Sequence, residues 1–331
     1  MITVDSPQLV IWLLTARCTQ SCLHCYASKF PKQGELDERR SFDLLNEMAA
    51  SGVKHVGFSG GSIFLRGDSL RLIEHASHSG INTSIVTSGL DITDEIAEQL
   101  ANCGTFVFLS VDGPNRKTHE RLRGSGSWNY VTSAIEKLRK FSVSFATVMA
   151  LNKLNWTEAP DYLVLAKDLG ATAGCFIPVM PSGRASADLI LQPEELMSTL
   201  QKIDGKAEEL QFPVSLWCMP FAGLVVQSSF IHYDFCRGYD EMDIDPQGNV
   251  LLCDVLDITP SSVGDRTLPQ AWEEQQESQI VKSVVEPELT SPCLDCPFRD
   301  KCRGGCFARA QLLTGNIHAP DPLCPKVAGL I

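Results

Sequence analysis

Three cysteines constrain this chain more than any other feature. Cys18, Cys22 and Cys25 follow an apolar run, residues 9–14, at spacings of four and three residues. Thiolates are soft ligands that suit iron–sulfur clusters, zinc or Cu(I). A structural zinc ion normally takes all four of its ligands from the protein. Three close thiols with no evident local fourth therefore favour a cubane cluster in which one iron is open to an exogenous ligand.

Composition limits the classes of protein that remain. The 331 residues suffice for one large α/β domain and a smaller one, and the apolar share of 44% is that of a soluble globular protein. A start without basic residues and an apolar run of six residues predict neither a signal peptide nor a membrane span. Thirteen cysteines then favour metal binding or catalysis over disulfides. The net charge of −12 argues against nucleic acid as the main partner.

Strand and helix patterns alternate through the first 180 residues. After the run at 9–14, strands are predicted at 53–58, 81–86, 105–110, 143–150 and 173–178, separated by helices at 41–51, 68–79, 93–102, 128–140 and 158–169. Such repetition indicates a parallel sheet with right-handed crossovers. Six strands suit an open (β/α)6 barrel, in which functional sites gather at the carboxyl ends of the strands.

Small and polar residues follow several of these strands. Glycine at 60 and 61 lets a backbone approach a ligand closely, although a plain turn is the alternative. Ordinary capping of a strand end is the alternative for the polar residues. The residues concerned are Gly60, Gly61, Ser62, Thr87, Ser88, Ser110 and Asp112.

A second set of cysteines lies in the last third of the chain. Its members are Cys236, Cys253, Cys293, Cys296, Cys302, Cys306 and Cys324. Residues 245–248, Asp-Pro-Gln-Gly, predict a hairpin turn that brings Cys236 and Cys253 close enough to share a metal. Taken locally, the paired cysteines also fit a zinc ribbon. Residues 188–230, with a predicted helix at 188–204 and a short strand at 213–217, form the bridge to this region.

Together these motifs resemble the radical S-adenosylmethionine (SAM) enzymes that carry a C-terminal SPASM domain. The loop of Cys18, Cys22 and Cys25 resembles the cluster motif of that family, and the seven later cysteines match the SPASM spacings. The resemblance implies an α/β fold, a partial (β/α)6 TIM-like barrel followed by a small cysteine-rich domain. The expected division is a radical SAM core at 1–187, the bridge at 188–230 and the SPASM domain at 231–331.

The resemblance also implies three [4Fe–4S] clusters. Cys18, Cys22 and Cys25 would hold the cluster whose open iron binds SAM. Two auxiliary clusters would be held, the first by Cys236, Cys253 and Cys306 and the second by Cys293, Cys296, Cys302 and Cys324. Cys218 is the candidate for a fourth ligand of the first auxiliary cluster, with an open iron or a free thiol as alternatives.

Further site residues are carried over by resemblance. Ser62 stands where the family has the Glu of Gly-Gly-Glu-Pro, so the carboxylate expected to hold the SAM amino group is missing. His24 and Tyr26 would lie near the adenine, and Arg184 would reach a carboxylate or a surface acid. Thr87, Ser88, Ser110 and Asp112 resemble residues around the ribose and carboxylate of SAM. Asp254 occupies the place of a catalytic base in anaerobic sulfatase-maturating enzymes, with turn capping as the alternative.

The implied activity is reductive cleavage of SAM to a 5′-deoxyadenosyl radical, which abstracts hydrogen from a peptide or protein in an oxidation, crosslink or epimerisation of the kind used in peptide (RiPP) maturation. We expect oxidation with Asp254 as proton acceptor, the alternative being hydrogen return from Cys218. A low-potential donor such as ferredoxin or flavodoxin would supply the electron. Oxygen-labile clusters imply a reducing cytoplasm.

Several alternatives stay open at this point. Because Cys18 lies close to the start of the sequence, a leader peptide is expected to bind the barrel and SPASM surface or a separate leader-binding protein. A tetrapyrrole-modifying enzyme of the haem-synthesis type, or a sugar-modifying one, shares the architecture. A cluster-bearing electron carrier or a zinc-structured binding module belongs to a different class and would not need Gly60 and Gly61 or Asp112 at strand ends.

Overall fold

One mixed sheet organises the computed structural model, which describes residues 5–233 and 240–331. Its strands in the described residues are β1 (Leu9–Thr15), β2 (His55–Gly60), β3 (Asn82–Thr87), β4 (Phe106–Ser110), β5 (Phe145–Leu151), β6 (Gly174–Pro178), β7 (Val214–Leu216), β8 (Ile231–Tyr233), β9 (Glu241–Ile244), β10 (Asn249–Leu251) and β11 (Ser261–Ser262). They lie in the order β11-β10-β9-β1-β2-β3-β4-β5-β6-β7-β8.

Helices connect the parallel strands β1 to β7 and cover the outside of the sheet. In the described residues they are α1 (Glu38–Ala50), α2 (Ser69–His78), α3 (Asp94–Asn102), α4 (Arg116–Arg123), α5 (Ser127–Lys140), α6 (Ala159–Asp168), α7 (Pro193–Leu210), α8 (Leu268–Glu277), α9 (Gln279–Val285), α10 (Arg299–Cys302) and α11 (Phe307–Thr314). The predicted α/β fold with a partial TIM-like barrel is confirmed by this arrangement. No helix among the described residues has the length and hydrophobicity that crossing a bilayer requires.

The apolar pattern of β1 shows how the sheet is buried on both faces. Val10, Trp12 and Leu14 are fully buried in the main core, which also contains the buried residues of the surrounding helices. Leu13 instead belongs with Leu251 to a separate apolar cluster. Successive side chains of a strand point to opposite faces, so a near-continuous apolar run is what a parallel strand buried on both faces requires.

Two additions extend the sheet beyond the six predicted strands. The predicted strand at 213–217 is present as β7, which pairs in parallel with β6. The predicted hairpin is confirmed: β9 and β10 pair antiparallel around residues 245–248, and the Asp245 carboxylate accepts the backbone N–H groups of Gln247 and Asn249 at 2.9 Å each. Because β9 also pairs in parallel with β1, this hairpin continues the barrel sheet.

The helix predicted at 188–204 begins and ends later than expected. Helix α7 starts at Pro193, whose fixed φ angle suits the first helical position. Gln192 and Glu195 form a capping box there, and the helix ends at Leu210. The local capping chemistry, rather than the apolar pattern upstream, therefore sets its start.

Candidate functional site

The three cysteines of the first motif come together beyond the carboxyl end of β1. Cys22 is buried, and Cys18 and Cys25 are half-buried. Burial raises the pKa of Cys22, the Arg123 guanidinium opposes the rise, and the neighbouring thiols of Cys25 and Cys18 add to it. The thiols of Cys18 and Cys25 thus lie close enough to Cys22 to disfavour its ionisation, and such a site suits a cationic metal centre, which stabilises thiolates. This donor set therefore fits an iron–sulfur cluster.

Contacts from the end of β6 hold the cysteine loop in place. Arg184 donates from Nε to the carbonyl oxygen of Cys22 at 2.9 Å and from its backbone N–H to that of Cys25 at 3.0 Å. Gly183 has φ +61°, and a Cβ there would lie 2.5 Å from the Cys25 carbonyl oxygen. Arg184 thus contacts the loop backbone rather than a surface acid, and only glycine fits before it.

The Gly60–Gly61 turn packs against the segment that leads from β1 into the cysteine loop. Gly61 donates its backbone N–H to the Thr15 carbonyl oxygen at 2.7 Å, and Ser62 donates to that of Arg17 at 2.8 Å. A Cβ on Gly60 would lie 2.3 Å from the Thr15 carbonyl oxygen. Close approach between two chain segments therefore explains the glycine pair without a ligand. The role of these glycines toward SAM stays a prediction.

Ser62 links the cysteine loop to an acidic residue that the sequence did not single out. Its Oγ lies 3.5 Å from the Cys18 Sγ. The Asp91 carboxyl also forms a hydrogen bond with Ser62, although burial raises the pKa of Asp91 overall. At the end of β3, Thr87 accepts the backbone N–H of Gly89 at 3.1 Å, and Ser88 beside it is half-buried. Thr87 therefore caps the turn in this structure.

A buried network of charged and polar groups lies behind the cysteine loop. Asp112 is fully buried; its Oδ2 pairs with Arg123 Nε at 2.5 Å and His24 Nε2 at 3.2 Å, and its Oδ1 accepts the backbone N–H of Ala150 at 2.8 Å. Burial would raise the pKa of Asp112, but Arg123 and His24 outweigh it and the pKa is lowered. Asp112 is therefore held as a carboxylate, close to the buried Ser110 at the end of β4.

Two imidazole rings complete this network. Burial lowers the pKa of both His24 and His119 to about 4, so both rings are neutral near pH 7. His119 Nδ1 accepts the backbone N–H of Asp112 at 3.2 Å. His24 Nδ1 and His119 Nε2 are buried and have no hydrogen-bond partner in the described part of the chain. His24, predicted to pack near adenine, is thus joined to Asp112 and retains an unpaired nitrogen.

Tyr26, beside the cysteine loop, forms a hydrogen bond with Asp254, in the segment that follows β10. The buried Tyr26 hydroxyl donates to the Asp254 carboxyl and accepts from Ser59, and its pKa is raised, first by burial. Burial likewise raises the pKa of Asp254, while Tyr26 opposes the rise. The Asp254 backbone N–H donates to Asp243 at 3.1 Å, and both side chains lie beside the Cys253 thiol. A carboxyl with a raised pKa next to a phenol is suited to accepting a proton.

The later cysteines form two groups. Four of the predicted ligands line one cavity: Cys293, Cys296, Cys302 and Cys324. Cys306 is buried in an apolar cluster around Phe307, against which Cys218 and Cys253 also pack. The described cysteines thus lie near one another in the two sets named above, and their binding of iron–sulfur clusters stays a prediction. Cys236 lies outside the described residues.

Two sets of residues in these sites were not predicted. His119 and Arg123 lie on helix α4, where their spacing of four residues places them on one face; that spacing was the available signal. Arg309 and Asp321 form an ion pair of 2.6 Å between side chains that are both fully buried. These two residues are twelve positions apart in the chain, a separation that matches no helix or strand period, so no comparable signal marks this pair.

Comparison with known proteins places these sites in context. Residues 12–166 match the model of the radical SAM superfamily. The chain is 27% identical over 333 residues to the mycofactocin maturase MftC of Mycolicibacterium smegmatis, covering 97% of this chain and 83% of that one. It is 26% identical over 341 residues to the AdoMet-dependent heme synthase of Methanosarcina barkeri, covering 97% of both. The structure of Streptococcus suis SuiB bound to precursor peptide SuiA matches with a TM-score of 0.80 and 15% identity over 97% of this chain and 76% of SuiB, a likeness of fold.

Proposed function

This chain is a radical SAM protein, and from that premise we propose that it abstracts hydrogen from a peptide or protein in a post-translational modification. A [4Fe–4S] cluster and SAM are the cofactors of the radical SAM domain. The observation that carries the proposal is the convergence of Cys18, Cys22 and Cys25 beyond the carboxyl end of β1. When bound there, the cluster supplies the electron that cleaves SAM to a 5′-deoxyadenosyl radical.

The substrate class is proposed from the relatives. Similarity to the maturase MftC extends over 97% of this chain, and a PqqA peptide cyclase of Methylocella silvestris is 25% identical over 98% of it. The modification itself would be an oxidation, a crosslink or an epimerisation. We favour oxidation because Asp254 offers a proton acceptor beside Cys253, with Tyr26 donating a hydrogen bond to it.

The protein's own residues prepare the site in three ways. Arg184 fixes the backbone of the cysteine loop through Cys22 and Cys25. Asp112 and Arg123 form a carboxylate–guanidinium pair behind the loop, and beside them His24 retains an unpaired Nδ1. The buried side chains of Ala27 and Phe30 belong to an apolar cluster against which Cys25 packs, which covers one side of the loop.

Two auxiliary [4Fe–4S] clusters are part of the proposal. The first would be held by Cys236, Cys253 and Cys306 with Cys218 as the fourth ligand, and the second by the cysteines that line the cavity. Iron and acid-labile sulfide should each approach about twelve atoms per chain after anaerobic reconstitution, about four for each cluster. Stoichiometric zinc in place of iron would contradict the proposal. Ferredoxin or flavodoxin in a reducing cytoplasm is the proposed electron source.

A tetrapyrrole substrate is the second candidate. The heme synthase of Methanosarcina barkeri matches over 97% of both chains, whereas MftC is covered to 83%. The deciding experiment incubates the reduced, reconstituted protein and SAM with either candidate precursor peptides encoded beside its gene or an iron porphyrin that carries propionate groups. We expect 5′-deoxyadenosine in proportion to modified peptide. Turnover of the porphyrin alone would select the second candidate.

The outcome of the reaction can be read in D2O. Oxidation predicts a peptide lighter by hydrogens without carbon-bound deuterium, and Asp254→Asn should then slow product formation while SAM cleavage persists. A peptide of unchanged formula that gains one deuterium at a stereocentre would instead indicate an epimerase, with Cys218 as the hydrogen donor. Mass spectrometry separates the two results.

A further inference from the structure

A charged pair is buried in the C-terminal region, away from the cysteine loop. The side chains of Arg309, on helix α11, and Asp321 are fully buried. Arg309 donates from Nε to Asp321 Oδ1 at 2.8 Å and from Nη2 to Oδ2 at 2.6 Å. Buried ion pairs of this kind are often no more stabilising than apolar residues of similar size. Stability alone is therefore a weak reason for this pair.

The pair is tied to two cysteines predicted to hold the first auxiliary centre. The backbone N–H of Arg309 points to the Cys306 Sγ at 3.4 Å, and Nη2 donates to the Cys218 carbonyl oxygen at 2.9 Å. Asp321 Oδ2 accepts the backbone N–H of Cys306 at 2.8 Å. Both halves of the pair thus reach the segments that carry these thiols.

One donor of the guanidinium is left over. Arg309 Nη1 is buried and has no hydrogen-bond partner in the described parts of the chain. A buried N–H without an acceptor costs free energy, and sulfur atoms of a metal centre are acceptors. Asp321 also packs directly against the backbone of Gly305. A Cβ at Gly305, which has φ +89°, would lie 2.2 Å from the Asp321 Cβ, so glycine is needed there for Asp321 to stay close.

We propose that Arg309 is a positioning residue that directs a fixed positive charge and its Nη1 donor toward the sulfur atoms of the metal centre held by Cys218, Cys253 and Cys306, and so raises the reduction potential of that centre. This inference rests on the proposed function, because it requires a cluster at these cysteines. Reduction adds one negative charge to a cluster, and a nearby cation stabilises that charge. The Asp321 carboxylate works in the opposite direction.

The test compares two variants of the reconstituted full-length protein. A redox titration followed by EPR spectroscopy measures the potential of each cluster. Arg309→Gln should lower the potential of the first auxiliary centre and Asp321→Asn should raise it, each by about tenfold in the reduction equilibrium, which is about 59 mV for a one-electron couple. The signal is assigned as the one retained when Cys18, Cys22 and Cys25, or Cys293 and Cys296, are replaced by alanine.

Arg66→Gln is the matched control, because Arg66 forms a comparable buried pair with Asp68 at 2.7 Å in the barrel. It should leave this potential unchanged. Unchanged potentials, or shifts of the same sign in both variants, would overturn the proposal. Loss of about four irons per chain from both would also overturn it, leaving a purely structural role. If only one variant loses iron, the direction of the potential shift in the other variant decides: the predicted direction supports the proposal, and the opposite direction or no shift overturns it. Wild-type protein without cluster signals would instead refute the proposed function.

Discussion

The two cysteine sites that the structure describes most fully differ in what surrounds the sulfur atoms. Behind the loop of Cys18, Cys22 and Cys25 lie the carboxylate of Asp112, the guanidinium of Arg123 and two neutral imidazoles with unpaired nitrogens. The later cavity instead has four thiols on its wall, and cations flank it at Arg299 and Lys326. On this comparison, the first site offers polar groups as well as thiols, whereas the second offers thiols without a comparable polar network.

The largest effect should come from removing the thiols of the first site. Changing Cys18, Cys22 and Cys25 together to alanine should abolish 5′-deoxyadenosine formation, because no cluster can then deliver an electron to SAM. The later cysteines should still hold their centres, seen as retained iron of about eight atoms per chain. The matched control replaces Cys293 and Cys296, which should remove about four irons but leave SAM cleavage under dithionite. Similar SAM cleavage in both variants would contradict the claim that only the first site binds and cleaves SAM.

Support of the loop by its neighbours is tested at Gly183. Alanine at φ +61° costs about 1–2 kcal/mol in backbone strain alone, and its Cβ would press on the Cys25 carbonyl oxygen. Gly183→Ala should therefore lower the iron content by about four atoms per chain. It should also remove most of the 5′-deoxyadenosine yield. Gly205→Ala is the control, because no atom lies within 4 Å of a Cβ at that position of helix α7. Full iron content in Gly183→Ala would show that the loop tolerates displacement.

The buried network predicts a stability that depends on pH through His119. Its pKa is about 4 in the folded protein, against an ordinary value of 6.5, so the unfolded chain binds the proton more tightly. Stability is thus fully present above pH 6.5 and is lost as the pH falls toward 4. Each displaced pKa unit is worth about 1.36 kcal/mol, so this loss approaches about 3 kcal/mol.

Denaturant unfolding between pH 7 and pH 4.5 checks this prediction. His119→Asn retains an acceptor for the Asp112 backbone N–H but cannot titrate, so its stability should fall less steeply with acid. Asparagine at the exposed His78 should leave the wild-type profile unchanged. Parallel profiles for wild type and His119→Asn would mean that His119 does not contribute to this loss of stability.

The smallest effect is expected at Ser62. We predict that its hydroxyl partly replaces the missing Glu of the family pattern, so Ser62→Ala should weaken SAM binding by about 0.5–1.5 kcal/mol, the net worth of one neutral hydrogen bond. Equilibrium binding of SAM to the reconstituted protein measures this change. An unchanged dissociation constant would show that Ser62 serves only Cys18 and Asp91.

The sequence predicted the barrel well because its strands are apolar runs that end in turns. The run at 9–14 became β1, and the strand predicted at 53–58 became β2 with a start two residues later. Helix α4 was missed because Leu122 is its one apolar residue, so no apolar stripe marks it. Its start is fixed by Asn115, whose side chain accepts the backbone N–H of Thr118.

Side-chain partners were harder to predict than elements. The sequence showed that Asp112 stands at a strand end, but its pairing with Arg123 and His24 depends on the missed helix and on the path of the cysteine loop. The glycine pair illustrates the opposite case. The residue type was informative, yet the close contact at Gly60 is to the Thr15 carbonyl oxygen. A glycine pair in the sequence indicates that another group lies close to the backbone, but only the tertiary structure shows which group that is.

The central claim is that Cys18, Cys22 and Cys25 hold a cluster with one iron open to SAM. EPR spectra of the dithionite-reduced protein, recorded with and without SAM, test it most directly. We predict that SAM alters one of the cluster signals in the wild type and that this signal is missing from the triple alanine variant. The remaining signals of that variant should not change when SAM is added. A spectrum that SAM leaves unchanged in the wild type, or a SAM-sensitive signal that survives in the triple variant, would contradict the claim.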